Sequence, residues 1–125
     1  MREIIDTAVG GKSLAAYSQA VKANGMVYVS GQGPLDPVSG EVVGDTIQEQ
    51  VRQCLINTSA VLEAARSALD RVASATVILR NDDDFAGMNE EWLRWFPQHP
   101  PARQAARMPV HAEGLKVSIA VIAEG

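Results

Sequence analysis

The hydrophobic pattern of the chain changes period several times, and each change marks an element. Residues Tyr17 to Lys22 run into Asn24-Gly25, a pair that favours a tight turn with positive φ, and Met26-Val27-Tyr28-Val29-Ser30 then predicts the second strand of a hairpin. Gly31, Gly33 and Pro34 end that strand, and Asp36-Pro37-Val38-Ser39-Gly40 predicts another turn. From Asp45 the spacing becomes helical. Ile47, Val51, Leu55, Thr58, Leu62 and Ala65 share one face, which predicts a helix from Thr46 to about Ala68, with Asp45 as N-cap and Gln48 three residues on. Asp70 to Arg80, carrying Val72, Val77, Ile78 and Leu79, returns to a strand pattern.

A second helix is predicted to begin near Asp82-Asp83-Asp84, whose carboxylates suit the positive end of a helix dipole. Phe85, Met88, Trp92 and Phe96 form its apolar stripe and Pro97 stops it. Asn89 falls on that stripe, either bonded to nearby backbone or serving a pocket or interface. Two strands follow, about Ala102 to Met108 and Leu115 to Ala123. In the last, Leu115, Val117, Ile119 and Val121 make a clean apolar face; Lys116, Ser118, Ala120 and Ile122 make a small, mixed one that meets solvent or another subunit. The order β-β-α-β-α-β-β predicts an α+β fold: one domain over residues 1–125, its single sheet packed against two helices.

Composition narrows the function classes. Eleven basic against fifteen acidic side chains leave a net charge of −4, with no dense basic cluster, so nucleic acid is an unfavoured partner. No apolar run is long enough for a membrane span, and the expectation is a soluble, cytoplasmic chain. Cys54 is the only cysteine and sits among helix-spaced apolar residues, where it reads as a small core residue. With His99 and His111 it gives no metal-ligand spacing, so no metal site is expected. Arg103 and Arg107 share a strand face with Ala105 between them, behind a Pro100-Pro101-Ala102 run that fixes the backbone. Spacing alone reads both arginines as surface charges.

The combined pattern adds more. Tyr17-Ser18-Gln19-Ala20, Val29-Ser30-Gly31-Gln32 with Asp36-Pro37, Gln50 to Leu62, Asp84-Phe85-Ala86-Gly87-Met88-Asn89, Pro101-Ala102-Arg103 and Val117 to Ala123 together resemble the RidA (YjgF-type) family, in matching order along nearly the whole chain. The resemblance implies a fold similar to a small chorismate mutase subunit, and a homotrimer whose sheets enclose a central barrel with pockets in the clefts between neighbours. It implies hydrolysis of reactive enamines and imines of small 2-imino acids, such as 2-aminoacrylate, to keto acid and ammonia, without a cofactor. Arg103 would anchor the substrate carboxylate with the backbone amide of Gly31, because a guanidinium fork matches a carboxylate bidentately. Tyr17 would flank the planar imine, and Ser30 and Asn89 would supply polar walls or orient the loop.

Three positions depart from the family pattern. The glutamate that active deaminases carry on the closing strand corresponds here to Ser118, which takes the catalytic position beside Arg103 but cannot do carboxylate acid–base work. The Cys or Thr two residues beyond the arginine is Ala105, and the usual Gly-Pro before the tyrosine is Ala15-Ala16. Glu113 and Glu124 replace the missing glutamate in neither register. The leading expectation is therefore an enamine/imine deaminase. The alternative is a non-catalytic binder or regulator that takes a small carboxylate at Arg103, and an endoribonuclease ranks behind both.

Overall fold

Asn24 and Gly25 both take positive φ, 53° and 76°, and so join β2 (Ala20–Ala23) to β3 (Met26–Gln32) by the tight turn that the dipeptide predicts. The computed structural model describes residues 2–8, 16–107 and 113–125. Ahead of this hairpin lies β1 (Glu3–Ile5), which pairs antiparallel with β2, Ile5 opposite Ala20. The sequence reading missed it, because three residues are too few to show an alternation. Then come α1 (Ile47–Ala64), β4 (Val72–Leu79), α2 (Phe85–Trp95), β5 (Ala102–Arg107) and β6 (Val117–Glu124).

The six strands form one mixed sheet in the order β1-β2-β3-β6-β4-β5. Only β4 and β5 run parallel, since α2 carries the chain back across the sheet between them; every other pair is antiparallel. The fold is the expected α+β layer, with both helices on one face.

Helix ends differ from the expectation by a residue or more. Thr46, not Asp45, is the N-cap: its hydroxyl accepts from the Glu49 amide at 3.1 Å, and the Glu49 carboxylate accepts from the Thr46 amide at 3.1 Å. An ionised acceptor at that third position makes a stronger box than Gln48 could. The helix ends at Ala64, short of Ala68, because Arg66 turns left-handed at φ 65° and Ser67 donates back to the Leu62 carbonyl. Lys22 then caps the Ala65 carbonyl at 2.7 Å. Single tight turns, Leu69–Arg71 and Asp82–Asp84, precede β4 and α2. β6 starts at Val117 instead of Leu115, since the Lys116 amide is drawn to the buried Gln50 side chain of α1 at 2.8 Å. The predicted end of β5 at Met108 lies outside the described residues.

The apolar face of β6 is as its alternation predicts. Val117, Ile119, Val121 and Ala123 are buried against Val51, Leu55 and Leu62 of α1, together with Val27 and Val29 of β3 and Ala75, Val77 and Leu79 of β4. Each such aliphatic side chain contributes about 1.5–3 kcal/mol by leaving water. The opposite face of the sheet carries Tyr28, Thr76, Ile78, Ser118, Ala120 and Ile122, none fully buried, and no described helix covers it.

Candidate functional site

Arg103 sits opposite Ala75 in the parallel β4–β5 register, and Ala75 faces the helices. Arg103 therefore projects on the helix side and reaches α2. Its guanidinium carbon lies 5.3 Å from the Trp92 ring centroid and 5.9 Å from that of Phe85, and Nη1 donates to Met88 Sδ at 3.4 Å. Among the described residues no carboxylate comes within ion-pair distance of it. Partial burial pulls its pKa below the ordinary value, yet a guanidinium remains charged at any physiological pH. A cleft of about 390 Å³ opens beside it, lined by Asn89, Trp92, Leu93, Pro100, Pro101 and Arg103.

Neighbouring residues behave differently. Arg107 pairs with Asp82 at 3.3 Å, both side chains exposed, which is the ordinary surface charge that spacing predicted. Ala105 is exposed and lines a smaller cleft of about 210 Å³ with Phe85, Asp82 and Arg107. One member of the predicted α2 stripe needs correction: Phe85, the first residue of the helix, is 45% exposed. Asn89 is half-buried and lines the cleft wall, a pocket position that was one of its two readings.

The remaining predicted residues gather elsewhere. The β3–β6 register shifts between Val29 and Gln32, so Ser30 and Gly31 form a bulge. A Cβ on Gly31 would fall 2.8 Å from Ser118 Oγ, so a side chain there would require the Ser118 hydroxyl to turn away. Ser30 is committed to the backbone: its hydroxyl donates to the Ser18 carbonyl at 2.6 Å and its amide to Gln19 at 2.9 Å. It thus tethers the loop bearing Tyr17, whose side chain is 46% exposed. Gln32, which the sequence reading did not single out, donates to the Ser30 carbonyl at 3.1 Å, and its own buried Oε1 finds no partner among the described residues. Alternation from Val27 and Val29 assigns Gln32 to the opposite face, and only the bulge at Ser30 and Gly31 turns it inward.

These two groups do not meet within one chain. β6 and β4 lie between β3 and β5, so Gly31 and Arg103 are three strand spacings apart, about 14 Å. They also lie on opposite faces. Ser118 pairs with Ile78 on the uncovered face, whereas Arg103 shares the helix face with Ala75.

A family model described as endoribonuclease L-PSP, the YjgF/RidA family, matches residues 8–125. The chain belongs to this family. A RutC family protein of Pyrococcus horikoshii is 40% identical over 123 residues, covering 98% of each chain. A protein of Capra hircus named 2-iminobutanoate/2-iminopropanoate deaminase is 36% identical over 123 residues, covering 98% of this chain and 90% of its own. Among solved structures, E. coli TdcF with bound serine superposes with a TM-score of 0.89 at 31% identity, covering 98% of both chains. The RidA fold expected from the motifs is thus the fold observed.

Other candidates in this RidA-family chain resolve simply. Burial pushes the Cys54 thiol far up, so it is an inert core group. His99 is exposed in a left-handed turn at φ 50°, and His111 lies outside the described residues. No described helix is long and apolar enough to cross a membrane.

One buried charge was not anticipated. Glu91 is 3% exposed and accepts from Arg52 Nε at 3.2 Å and Trp95 Nε1 at 3.0 Å, tying α2 to α1 on either side of the cleft residues Asn89 and Trp92. Burial pushes its carboxyl up, but the Arg52 and Trp95 hydrogen bonds with the charges of Arg52 and Arg94 outweigh this and hold it below the ordinary 4.5. A depressed folded-state pKa means that the stabilisation is full above the unfolded value and is lost as pH falls through the folded one. Glu91→Ala is expected to destabilise by about 1–3 kcal/mol, discounted because Arg52 is half exposed. Glu91→Gln is expected to flatten the loss of stability below about pH 4.5. Urea melts between pH 3 and 7 check both; an unaltered acid limb in Glu91→Gln removes the assignment.

Proposed function

We propose that the chain is a hydrolytic deaminase of reactive enamines and imines of small 2-imino acids, with Arg103 as carboxylate anchor. The observation that supports this most is a partly desolvated guanidinium, free of any acidic partner among the described residues, at the wall of a cleft. Such a cation gains most from an incoming carboxylate, because part of its desolvation is already met. The named activity of the goat relative and the serine bound to TdcF, an amino acid with its own carboxylate, agree with that ligand class.

Separation of the two groups of residues within one chain supports a site shared between subunits, and the homotrimer is the assembly that the family resemblance implies. Arg103, Asn89 and Ala105 on the helix side of one subunit would meet Tyr17, Gly31 and Ser118 on the uncovered face of the next. Each pocket would then lie in a cleft between neighbours, and the uncovered faces would enclose a central barrel. The protein would act in the cytoplasm as a single domain over residues 1–125, without metal or organic cofactor.

The chemistry asks little of the protein. 2-Aminoacrylate tautomerises to 2-iminopropanoate, water adds to the imine carbon, and the tetrahedral adduct expels ammonia to leave pyruvate. The proton lost by the attacking water goes to the departing nitrogen. Arg103 and the Gly31 amide hold the carboxylate so that water meets the carbon in line. Ser118 can orient that water by a hydrogen bond but is a poor proton exchanger at neutral pH. The test generates 2-aminoacrylate with a serine dehydratase and follows its absorbance. Decay faster than in buffer is expected, and decay at the buffer rate with assembled protein would overturn the proposal. Ser118 also favours a second reading, a binder of small carboxylates without turnover, which predicts a 2-oxobutanoate thermal shift in that same protein.

A further inference from the structure

The strand that carries Arg103 does little to fix its side chain. β5 is an edge strand, and the guanidinium ends a flexible aliphatic stem. An aspartate or glutamate could immobilise it, but would occupy the N–H groups that a ligand carboxylate needs. The described residues supply aromatic faces instead. A ring face attracts a cation through its quadrupole and leaves the in-plane N–H donors unused. Of the two rings, Phe85 is 45% exposed, whereas Trp92 is 4% exposed and packs against Phe96 with centroids 4.7 Å apart. Trp92 is the fixed wall. Met88 Sδ, a weak acceptor, takes Nη1 at 3.4 Å and leaves the other donors available.

We propose that Trp92, stacked 5.3 Å from the Arg103 guanidinium, is the positioning residue that keeps this cation ordered and its donors open, so that the site's preference for an acid over a neutral ligand depends on it. The inference rests on Arg103 being the carboxylate anchor. It places on one core tryptophan a selectivity that the deaminase reading assigns to the arginine alone.

The test uses the assembled protein, with 2-oxobutanoate and its neutral amide, 2-oxobutanamide, as probes in isothermal titration. The ¹⁵N order parameter of Arg103 Nε gives a second readout. Wild type and Trp92→Phe are expected to keep an ordered Arg103 and a clear preference for the acid. Trp92→Leu keeps apolar bulk but removes the π-face; its Arg103 order parameter is expected to fall below about 0.6 and its acid-over-amide ratio to drop about tenfold. Should Trp92→Leu fail to fold, fluorinated tryptophan at position 92 in a Trp95→Phe background weakens the π-face while preserving shape. The same drop is expected there. Order and ratio unchanged in the folded variant would overturn the inference, even if Arg103→Ala loses the acid preference and the anchor reading stands. If wild type binds neither probe, the anchor reading itself falls and the Trp92 role falls with it.

Discussion

Arg103→Ala is expected to weaken 2-oxobutanoate binding by about a hundredfold or more. Two charge-assisted hydrogen bonds from a guanidinium fork contribute about 1.5–3 kcal/mol each, and the lower end of their sum already corresponds to two decades of affinity. No other described cation lines the cleft to replace it. Arg103→Lys keeps the charge but not the fork, and is expected to recover only part of the loss. Neither variant removes an ion pair among the described residues or creates a buried cavity, because Arg103 has no acidic partner among them and is only partly buried. Thermal midpoints are therefore expected to stay within a few degrees of wild type. Isothermal titration with a melt of each variant checks the point. An unchanged affinity in a folded Arg103→Ala protein would remove the anchor and every function built on it.

Ser118→Glu is expected to raise the rate of imine hydrolysis by roughly 10²–10⁴-fold, the usual contribution of a positioned general acid–base. The substitution restores the carboxylate that the family pattern places there. Its surroundings tolerate extension: the flanking positions on the uncovered face are Ile78 and Ala120, and Gly31 lacks the Cβ that would crowd it. The gain is expected to depend on Arg103, so that the Arg103→Ala/Ser118→Glu double variant shows none. A new limb is also expected in the pH–rate profile on the acid side, where the carboxylate protonates and stops acting as a base. A Ser118→Glu protein no faster than wild type, with probe binding intact, would mean that proton transfer at this position is not what limits the chain.

Much of the architecture was present in short-range patterns. Alternation along β6 told which of its faces is buried, and the Asn24-Gly25 pair placed the first hairpin. Both are local, since period and turn chemistry need only neighbouring residues. Cap positions slipped by one residue because Asp45-Thr46 and Gln48-Glu49 offer two registers of the same motif, and only the bonds made in three dimensions choose between them. The motifs that resemble the RidA family also pointed to Arg103, Gly31 and Ser118 without a structure.

What the chain could not announce was the company each group keeps. By spacing, Arg103 and Arg107 are equivalent; the parallel register of β5 on β4 and the return of α2 put Trp92 and Phe85 on one and Asp82 on the other. Glu91 carries no signal in the sequence, because Arg52, which folds against it, lies 39 residues earlier. The motifs offer Ser30 two roles, pocket wall or loop orienter, and its hydroxyl bond to Ser18 is the contact that favours the second. Sequence alone determined the two helices, the strands other than β1, the buried face of β6 and the family, because those follow from local periodicity and motif order. Only tertiary structure decided that, of the two β5 arginines, Arg107 has an acidic partner and Arg103 has none among the described residues, and that Arg103 and Ser118 occupy opposite faces, because charge pairing and sidedness depend on contacts between segments far apart in the chain.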